Sequence, residues 1–288
     1  YRGYKNRRGL IGATAAVASV FPDWTYELLA YRKQERWGTP RQVEPTSLFS
    51  AEERTYPHTW DSVDRENGVV VCVPHTPDPV LFGIRGESPA WIRTARSCVR
   101  SEEPACEQMY VTNQGTDAHL KPGSIGELEE GRSYGVRGTV ATAPITGPGG
   151  HVSFLLEDRG NRTRCMAYEP TKGFREVVRQ LVPGDEVAAV GSFKGGSINL
   201  EKLGVRRLAD VTRTRPPVCP ACSKRMTSAG SAKGYKCRFC SARERQPEVE
   251  RVERLLHPGW YEVPPTARRH LARPLVRDLS AFLRDLSC

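Results

Sequence analysis

Two short motifs constrain this chain more than anything else in it. Cys219-Pro-Ala-Cys222 is followed, across a fourteen-residue loop, by Cys237-Arg-Phe-Cys240. Cysteines spaced in this way sit on a tight turn that aims two thiolates at one point. The loop is long enough to bring the second turn back and complete a tetrahedral site. The spacing therefore reads as a zinc ribbon with Cys219, Cys222, Cys237 and Cys240 as ligands. Four protein ligands leave no coordination position for a substrate, so the zinc is structural. A disulfide pair is the competing reading of the same spacing.

The charge of the chain is concentrated around that ribbon. Overall, 43 Lys+Arg against 33 Asp+Glu give +10. Between Lys202 and Cys240 ten basic residues face a single acid, Asp210. Four thiolates and a zinc ion leave about +7 there. Arg2, Lys5, Arg7 and Arg8 add a basic start with no acid before residue 23. Such a field suits a polyanion such as nucleic acid, with a merely soluble basic face as the alternative. The other cysteines, Cys72, Cys98, Cys106, Cys165 and Cys288, are irregularly spaced and read as reduced thiols. No apolar run reaches membrane-spanning length and no signal peptide is visible, so a cytoplasmic protein without a membrane partner is expected.

A chain of 288 residues suggests two or three small domains, here an α+β multidomain arrangement. Residues 1–122 read as a ferredoxin-like α/β sandwich. Its expected parts are a buried helix over 9–20, a strand over 24–32, a polar, turn-rich 38–68 and a buried strand over 69–73. A strand over 80–85 then leads into a helix capped by Ser88 and Pro89, with Trp91, Ala95 and Cys98 on one face. A strand over 108–112 closes the unit. Arg85 beside the free N–H groups of that helix marks either an anion site or an ordinary capped turn.

Residues 130–212 read as an OB-fold barrel: three strands, a short helix over 173–181, then two strands. Phe174, Val177, Val178 and Leu181 supply the helix with its apolar face. The zinc ribbon occupies 216–243. Residues 244–288 read as a charged helix over 244–256 followed by a basic tail. The run Arg268-Arg269-His270 in that tail either packs back on the barrel or meets phosphate.

A barrel followed by a basic ribbon is a nucleic-acid-binding arrangement. The candidate contacts are Arg137, Arg162, Arg164, Lys194 and Lys202 on the barrel. Lys224, Arg225, Lys233, Lys236 and Arg238 on the ribbon join them, with Arg268 and Arg269 in the tail. Exposed stacking aromatics are few (Tyr134, Tyr168, Phe193, Tyr235), which points toward shape recognition of structured RNA.

Several stretches, in order and over nearly the whole chain, carry a family resemblance. They include RGLIGATAAV, TYELLAYR, TWDSVDRENG, VPHTPDPVLFGIRGES, TNQGTDAHL, GGHVSFLLED, CMAYEPTKGFR, INLEKL, CPACSKRMTSAG and WYEVPPTARRHLARPL. Together they resemble the archaeal tRNA(Ile) 2-agmatinylcytidine (agmatidine) synthetases. The resemblance implies the same module order and an ATP- and Mg-using ligase. Its partners would be agmatine and the isoleucine tRNA with a CAU anticodon, whose wobble cytidine receives the agmatine on its 2-carbon. It also implies a kinase-like N-terminal domain, to which nothing here corresponds. Either the sequence is part of a longer chain or a split partner supplies that half, so no catalytic residue is assigned and the chain alone is expected to be inactive. Agmatine carries a guanidinium and an amine, which call for carboxylates or carbonyls. On loops that match the family, the pocket candidates are Asp61, Asp64, Arg85, Glu87, Asn113, Thr116 and Asp117, each also readable as a turn cap or surface pair. The alternative function is a non-enzymatic OB-fold and zinc-ribbon nucleic-acid-binding protein.

Overall fold

Residues 7–230 and 233–277 are described, in a computed structural model of the chain. Arg2, Lys5 and Cys288 lie outside them. Helix α1 (Arg8–Ala18) forms where the small apolar residues predicted it. It is not buried, however: Ile11 and Val17 are 77% and 90% exposed. Among the described residues no element covers its apolar side, so the composition specified a helix without specifying a partner.

The first unit runs β1 (Thr25–Tyr31), α2 (Pro45–Thr55), β2 (Thr59–Trp60), β3 (Val63–Asp64), β4 (Val69–Val70), β5 (Val80–Gly86), α3 (Pro89–Cys98) and β6 (Cys106–Thr112). The sheet order is β2-β5-β1-β6 with every neighbour antiparallel. That is the split βαβ pattern of a ferredoxin-like sandwich. Both helices pack on one face, over Leu28, Ala30, Phe82 and Ile84. Successive strand residues point to opposite faces, so Glu27, Leu29, Gly83 and Arg85 occupy the helix-free face and line an opening there.

Three local expectations fail. The stretch 38–68 contains helix α2, which starts at Pro45 and buries Leu48, Ala51, Glu52 and Thr55; its narrow apolar stripe is diluted by charged neighbours. The expected buried strand over 69–73 shrinks to a two-residue hairpin arm with Val69 40% exposed. In α3, Ser88 does cap the helix, its Oγ accepting from the Trp91 N–H, and Pro89 opens it. The buried stripe is nevertheless Ile92, Ala95 and Val99. Trp91, one position away, turns outward and stacks on His58 with ring centroids 4.3 Å apart.

The barrel follows: β7 (Leu120–Pro122), β8 (Ser133–Val140), β9 (Ile145–Thr146), β10 (Val152–Asp158), β11 (Asn161–Ala167), α4 (Phe174–Arg179), β12 (Glu186–Lys194) and β13 (Ser197–Arg207). It closes through β8–β10–β11–β13–β12–β8, with β11 and β13 parallel. Five strands in this circuit, with the helix between the third and fourth, are the OB order. Phe174 and Val178 of α4, with Leu181, plug one end of the core. The register of β12 against β13 shifts at Gly191. A Cβ there would lie 1.9 Å from the Asn199 carbonyl oxygen, so only glycine permits this approach.

The ribbon is built on β14 (Thr212–Arg215), β15 (Thr227–Ser228), β16 (Tyr235–Lys236), β17 (Arg243–Glu244) and β18 (Glu248–Arg251). The expected helix over 244–256 is absent. Strand β18 pairs antiparallel with β14, placing Arg213 opposite Glu250 and Arg215 opposite Glu248. Both charge pairs close at 2.8 Å. The alternating charges are thus a cross-strand ladder rather than the face of a helix. The chain then returns to the barrel as β19 (Gly259–Glu262), antiparallel to β13. The helical tail expected after it is, as far as Arg277, a strap of short turns.

Candidate functional site

The four ribbon sulfurs converge. Cys219 and Cys240 Sγ are 3.3 Å apart, Cys222 and Cys237 3.4 Å, Cys222 and Cys240 3.7 Å. All four lie within 4.8 Å of one another. Zn–S bonds of about 2.3 Å in a tetrahedron place sulfurs roughly 3.8 Å apart, so the donor set fits zinc. Each knuckle needs one left-handed residue after its second cysteine, Ser223 (φ 57°) and Ser241 (φ 60°). Backbone N–H groups of Phe239 and Cys240 pull the Cys237 thiol down to about 6, whereas Cys240, against the N–H of Ala242, is pushed up to about 12 by the Cys219 and Cys237 thiols beside it. Every coordinating position comes from the protein, which makes this a structural four-cysteine zinc site.

Around it Lys224, Lys233, Lys236 and Arg238 are exposed. Lys224 Nζ sits 3.9 Å above the Phe239 ring. Arg225 is tied back to Glu248 at 3.0 Å. On the barrel, Arg162 and Arg164 flank an open groove of 520 Å³ that ends at the Gly195–Gly196 turn beside Lys194. Arg162 also meets Glu157 at 2.5 Å. Arg137 lies on the other side of the barrel, along a second trough.

Two candidate phosphate contacts are corrected. Lys202 has a side chain only 1% exposed, and its Nζ donates to both Asp117 carboxylate oxygens at 2.7 Å. Arg268 is 6% exposed and paired with Asp61 and Glu262. Arg269, half-exposed, donates to Glu201 (2.9 Å) and Ser133 (3.1 Å). These residues fasten the strap, and burial removes Lys202 and Arg268 from any backbone phosphate.

The strap also absorbs most of the pocket candidates. Arg277 donates to Asp23, to Glu87 at 2.8 Å and to the Gly115 carbonyl. Gly115 and Asp117 donate their N–H groups to the His270 and Leu271 carbonyls. Asp117 accepts from the Arg273 N–H at 2.8 Å. Thr116 Oγ1 donates to the Asn113 carbonyl. Glu87, Asn113, Thr116 and Asp117 therefore belong to the junction between the sandwich and the barrel.

Asp61 and Asp64 lie in the wall of an open cleft, Asp64 1% exposed and Asp61 8% exposed on its side chain and paired with Arg268. The cleft measures 740 Å³ and lies between α2, β3, the start of α4 and the strap. Six carboxylates (Glu52, Glu53, Asp61, Asp64, Glu66 and Glu262) line it against two arginines, Arg65 and Arg268, with Tyr56, Trp60 and Phe174 among its walls. Burial raises the Asp61 carboxyl against the pull of Arg268, and raises Glu262. Glu52, whose Oε2 accepts from the Ser62 and Val63 N–H groups, is pushed up by burial to about 7. Asp64 accepts from Asn67 and Thr266. A second opening of 500 Å³ shares Trp60, Asp61 and Arg268 and contains Arg85, whose Nε donates to Glu27 at 2.9 Å. Burial pushes its Cys72 thiol up to about 12, leaving it unreactive. Glu52, Glu66 and Glu262 escaped the sequence reading. The only available signal for Glu52 was its place in a helix read as a polar loop.

A sandwich with an acidic cleft, joined to an OB barrel and a basic zinc ribbon, has the modular make-up of nucleic-acid-binding proteins. Residues 7–119 match the family model described as the TiaS FLD domain, and 216–256 that of the TiaS C-terminal zinc ribbon domain. The chain is 54% identical over 277 residues to TiaS of Methanocorpusculum labreanum, an isoleucine-tRNA 2-agmatinylcytidine synthetase, covering 96% of this chain and 66% of that protein. It is 48% identical to the same enzyme of Methanosarcina acetivorans, over 98% of this chain and 68% of that protein. It superposes on the crystal structure of TiaS in complex with isoleucine tRNA, AMPCPP and agmatine with a TM-score of 0.82 at 45% identity, over 95% of this chain and 65% of that one. The chain belongs to the TiaS ligase family. It spans about two thirds of the length of the curated relatives it matches.

Proposed function

We propose that this chain supplies the tRNA-gripping and agmatine-side parts of an ATP-dependent ligase that joins agmatine to the 2-carbon of the wobble cytidine in isoleucine tRNA with a CAU anticodon. In that reaction ATP, with Mg, activates the 2-carbon, and the primary amine of agmatine displaces the phosphate. The ribbon lysines, Arg238 and the Arg162–Arg164 groove grip the RNA backbone. The acidic cleft takes agmatine, with Asp61 and Asp64 as the expected carboxylates, while Arg85 serves the adjoining opening. Phosphoryl transfer is assigned to residues beyond these, so the chain alone consumes no ATP. A cytosolic setting suits thiols such as Cys98 and Cys165, which are free.

The observation that carries this reading is the excess of carboxylates in a cleft with aromatic walls. A dication meets charge-assisted hydrogen bonds and ring faces there. A simple nucleic-acid binder has no use for such a cleft. Agmatine titration by calorimetry tests the assignment: the chain should bind agmatine and Asp64→Asn should weaken it severalfold. Equal binding by wild type and by variants at both Asp61 and Asp64 would move the substrate elsewhere.

A further inference from the structure

Along β11, Thr163, Cys165 and Ala167 are buried and point into the barrel. Their neighbours Arg162, Arg164, Met166 and, one residue past the strand, Tyr168 therefore point out. Tyr168 keeps an extended backbone (φ −77°, ψ 162°), so the alternation runs through it. At roughly 3.3 Å per residue, successive outward side chains stand about 7 Å apart, the scale of one nucleotide in an extended strand. The row lines the open groove of 520 Å³. Across it, Leu155 of β10 stands opposite Arg164 on one side and Ser197, after the Gly195–Gly196 turn, on the other.

Charge in the groove is of one sign. Among the described residues none of those lining it is acidic. Arg162 is engaged by Glu157 at 2.5 Å, but Arg164 is exposed and no described carboxylate pairs with it. Glu169, which follows Tyr168, is tied to Arg175 and Lys172 at 3.4 and 3.7 Å.

Tyr168 is held ready at the end of the row. His151, whose Nδ1 accepts from the Glu169 N–H at 2.9 Å, meets the phenol ring edge-on, with centroids 5.1 Å apart and planes at 71°. The ring is 38% exposed and borders the groove. Beyond it the chain turns through Glu169–Thr171 and reaches Gly173 and Phe174, both in the wall of the acidic cleft. A Cβ on Gly173 would lie 4.0 Å from the Glu66 carboxylate. The stretch 168–174 thus joins the basic groove to the cleft, with Tyr168 at its groove end.

We infer that Tyr168 is the stacking platform for one unpaired base of the tRNA, and that the β11 row leads the strand bearing that base to the acidic cleft, with Arg164 on the adjoining phosphate. A single strand needs a ring face for a base and a positive charge for the phosphate that follows. A fixed ring beside Arg164, over a floor of Leu155 and Met166, offers both. A duplex keeps its bases stacked on one another and has none to give the ring. The inference rests on the tRNA-binding reading and deepens it, since that reading asks this groove only for phosphate contacts.

The test uses the full chain and two probes: a hairpin RNA bearing the CAU anticodon loop with 4-thiouridine at its loop uridines, and a fully paired RNA of the same length. Binding is read by anisotropy and contact by photocrosslinking. Wild type should crosslink to the hairpin within 164–172. Tyr168→Ala should weaken the hairpin about tenfold, as loss of one base–aromatic stack does, and leave the duplex unchanged. Tyr168→Phe should bind as wild type does. Arg164→Ala should lower the salt slope of hairpin binding by roughly one. Thermal melts identify a variant that fails to fold; Tyr168→Leu, which keeps an apolar side chain against His151 without a ring, then decides. Hairpin affinity unchanged by loss of the ring, an equal loss on the duplex, or crosslinks confined to the ribbon would overturn the inference. If wild type binds tRNA with a steep salt dependence while the Tyr168 variants behave normally, only the stacking assignment falls. If wild type binds neither tRNA nor hairpin, the RNA reading falls with it.

Discussion

Lys202→Met separates the two roles that a basic barrel residue can play. The ammonium is buried at the junction of barrel and sandwich, where burial pulls its pKa down and Asp117 pulls it back up. Methionine keeps most of the stem and removes the charge. Removing one partner of a buried pair typically costs about 3–5 kcal/mol, because the other charge stays behind. Asp117 keeps the Arg273 N–H at 2.8 Å and is 17% exposed on its side chain. The lower end, about 3 kcal/mol, is therefore expected. In urea, followed by tryptophan fluorescence, that corresponds to a midpoint lower by roughly 1–3 M. The Lys202→Met/Asp117→Asn double variant should recover a good part of the loss, with a coupling of about 1–3 kcal/mol. The salt dependence of tRNA binding should not change. A variant as stable as wild type but with a shallower salt slope would mean that Lys202 reaches phosphate, and the junction account would be wrong.

Three further outcomes follow from the same geometry. Lys224→Ala/Arg238→Ala should leave stability within about 0.5 kcal/mol and lower the salt slope of tRNA binding by roughly one to two; an unchanged slope would take the ribbon off the RNA. Glu52 titrates near 7 in the folded chain, against an ordinary value of 4.5, so the folded state holds the extra proton between those values. Stability should therefore fall as pH rises from about 4.5 to about 7, by on the order of 3 kcal/mol, and Glu52→Gln should flatten that slope. A wild-type profile that rises across this window would mean that the Ser62 and Val63 N–H groups outweigh the burial of Glu52. Zinc chelation should unfold 217–241, whose core is little more than Cys219, Met226 and Cys237 around the ion, while the barrel keeps its own core. Loss of the barrel transition as well would show that the ribbon is not independent.

The sequence made legible whatever depends on short-range rules. The paired cysteines dictated the ribbon, and Ser88-Pro89 marked the start of α3 to the residue. Alternation through 134–143 marked the first barrel strand, and the runs 186–193 and 197–208 the last two, with Gly195-Gly196 as their hairpin turn. Features decided by distant partners were not legible. The residues 248–251 carry a helix-like mixture of charge, and only β14, more than thirty residues earlier, makes them a strand. Lys202 and Arg268 look like any surface cation until the strap and the 113–119 loop close over them. Asp117 and Glu87 lie on the two loops, 113–119 and 83–88, that the sequence singled out, but their partners are Lys202 and Arg277 of this same chain.

The central claim is that the barrel and ribbon hold the CAU-anticodon isoleucine tRNA by its phosphates. Its most direct test is the dissociation constant of that complex at 50 and 200 mM salt. With six or more neutralised phosphates the affinity should drop by about a thousandfold or more across this range. A dissociation constant that stays constant between the two would contradict the account.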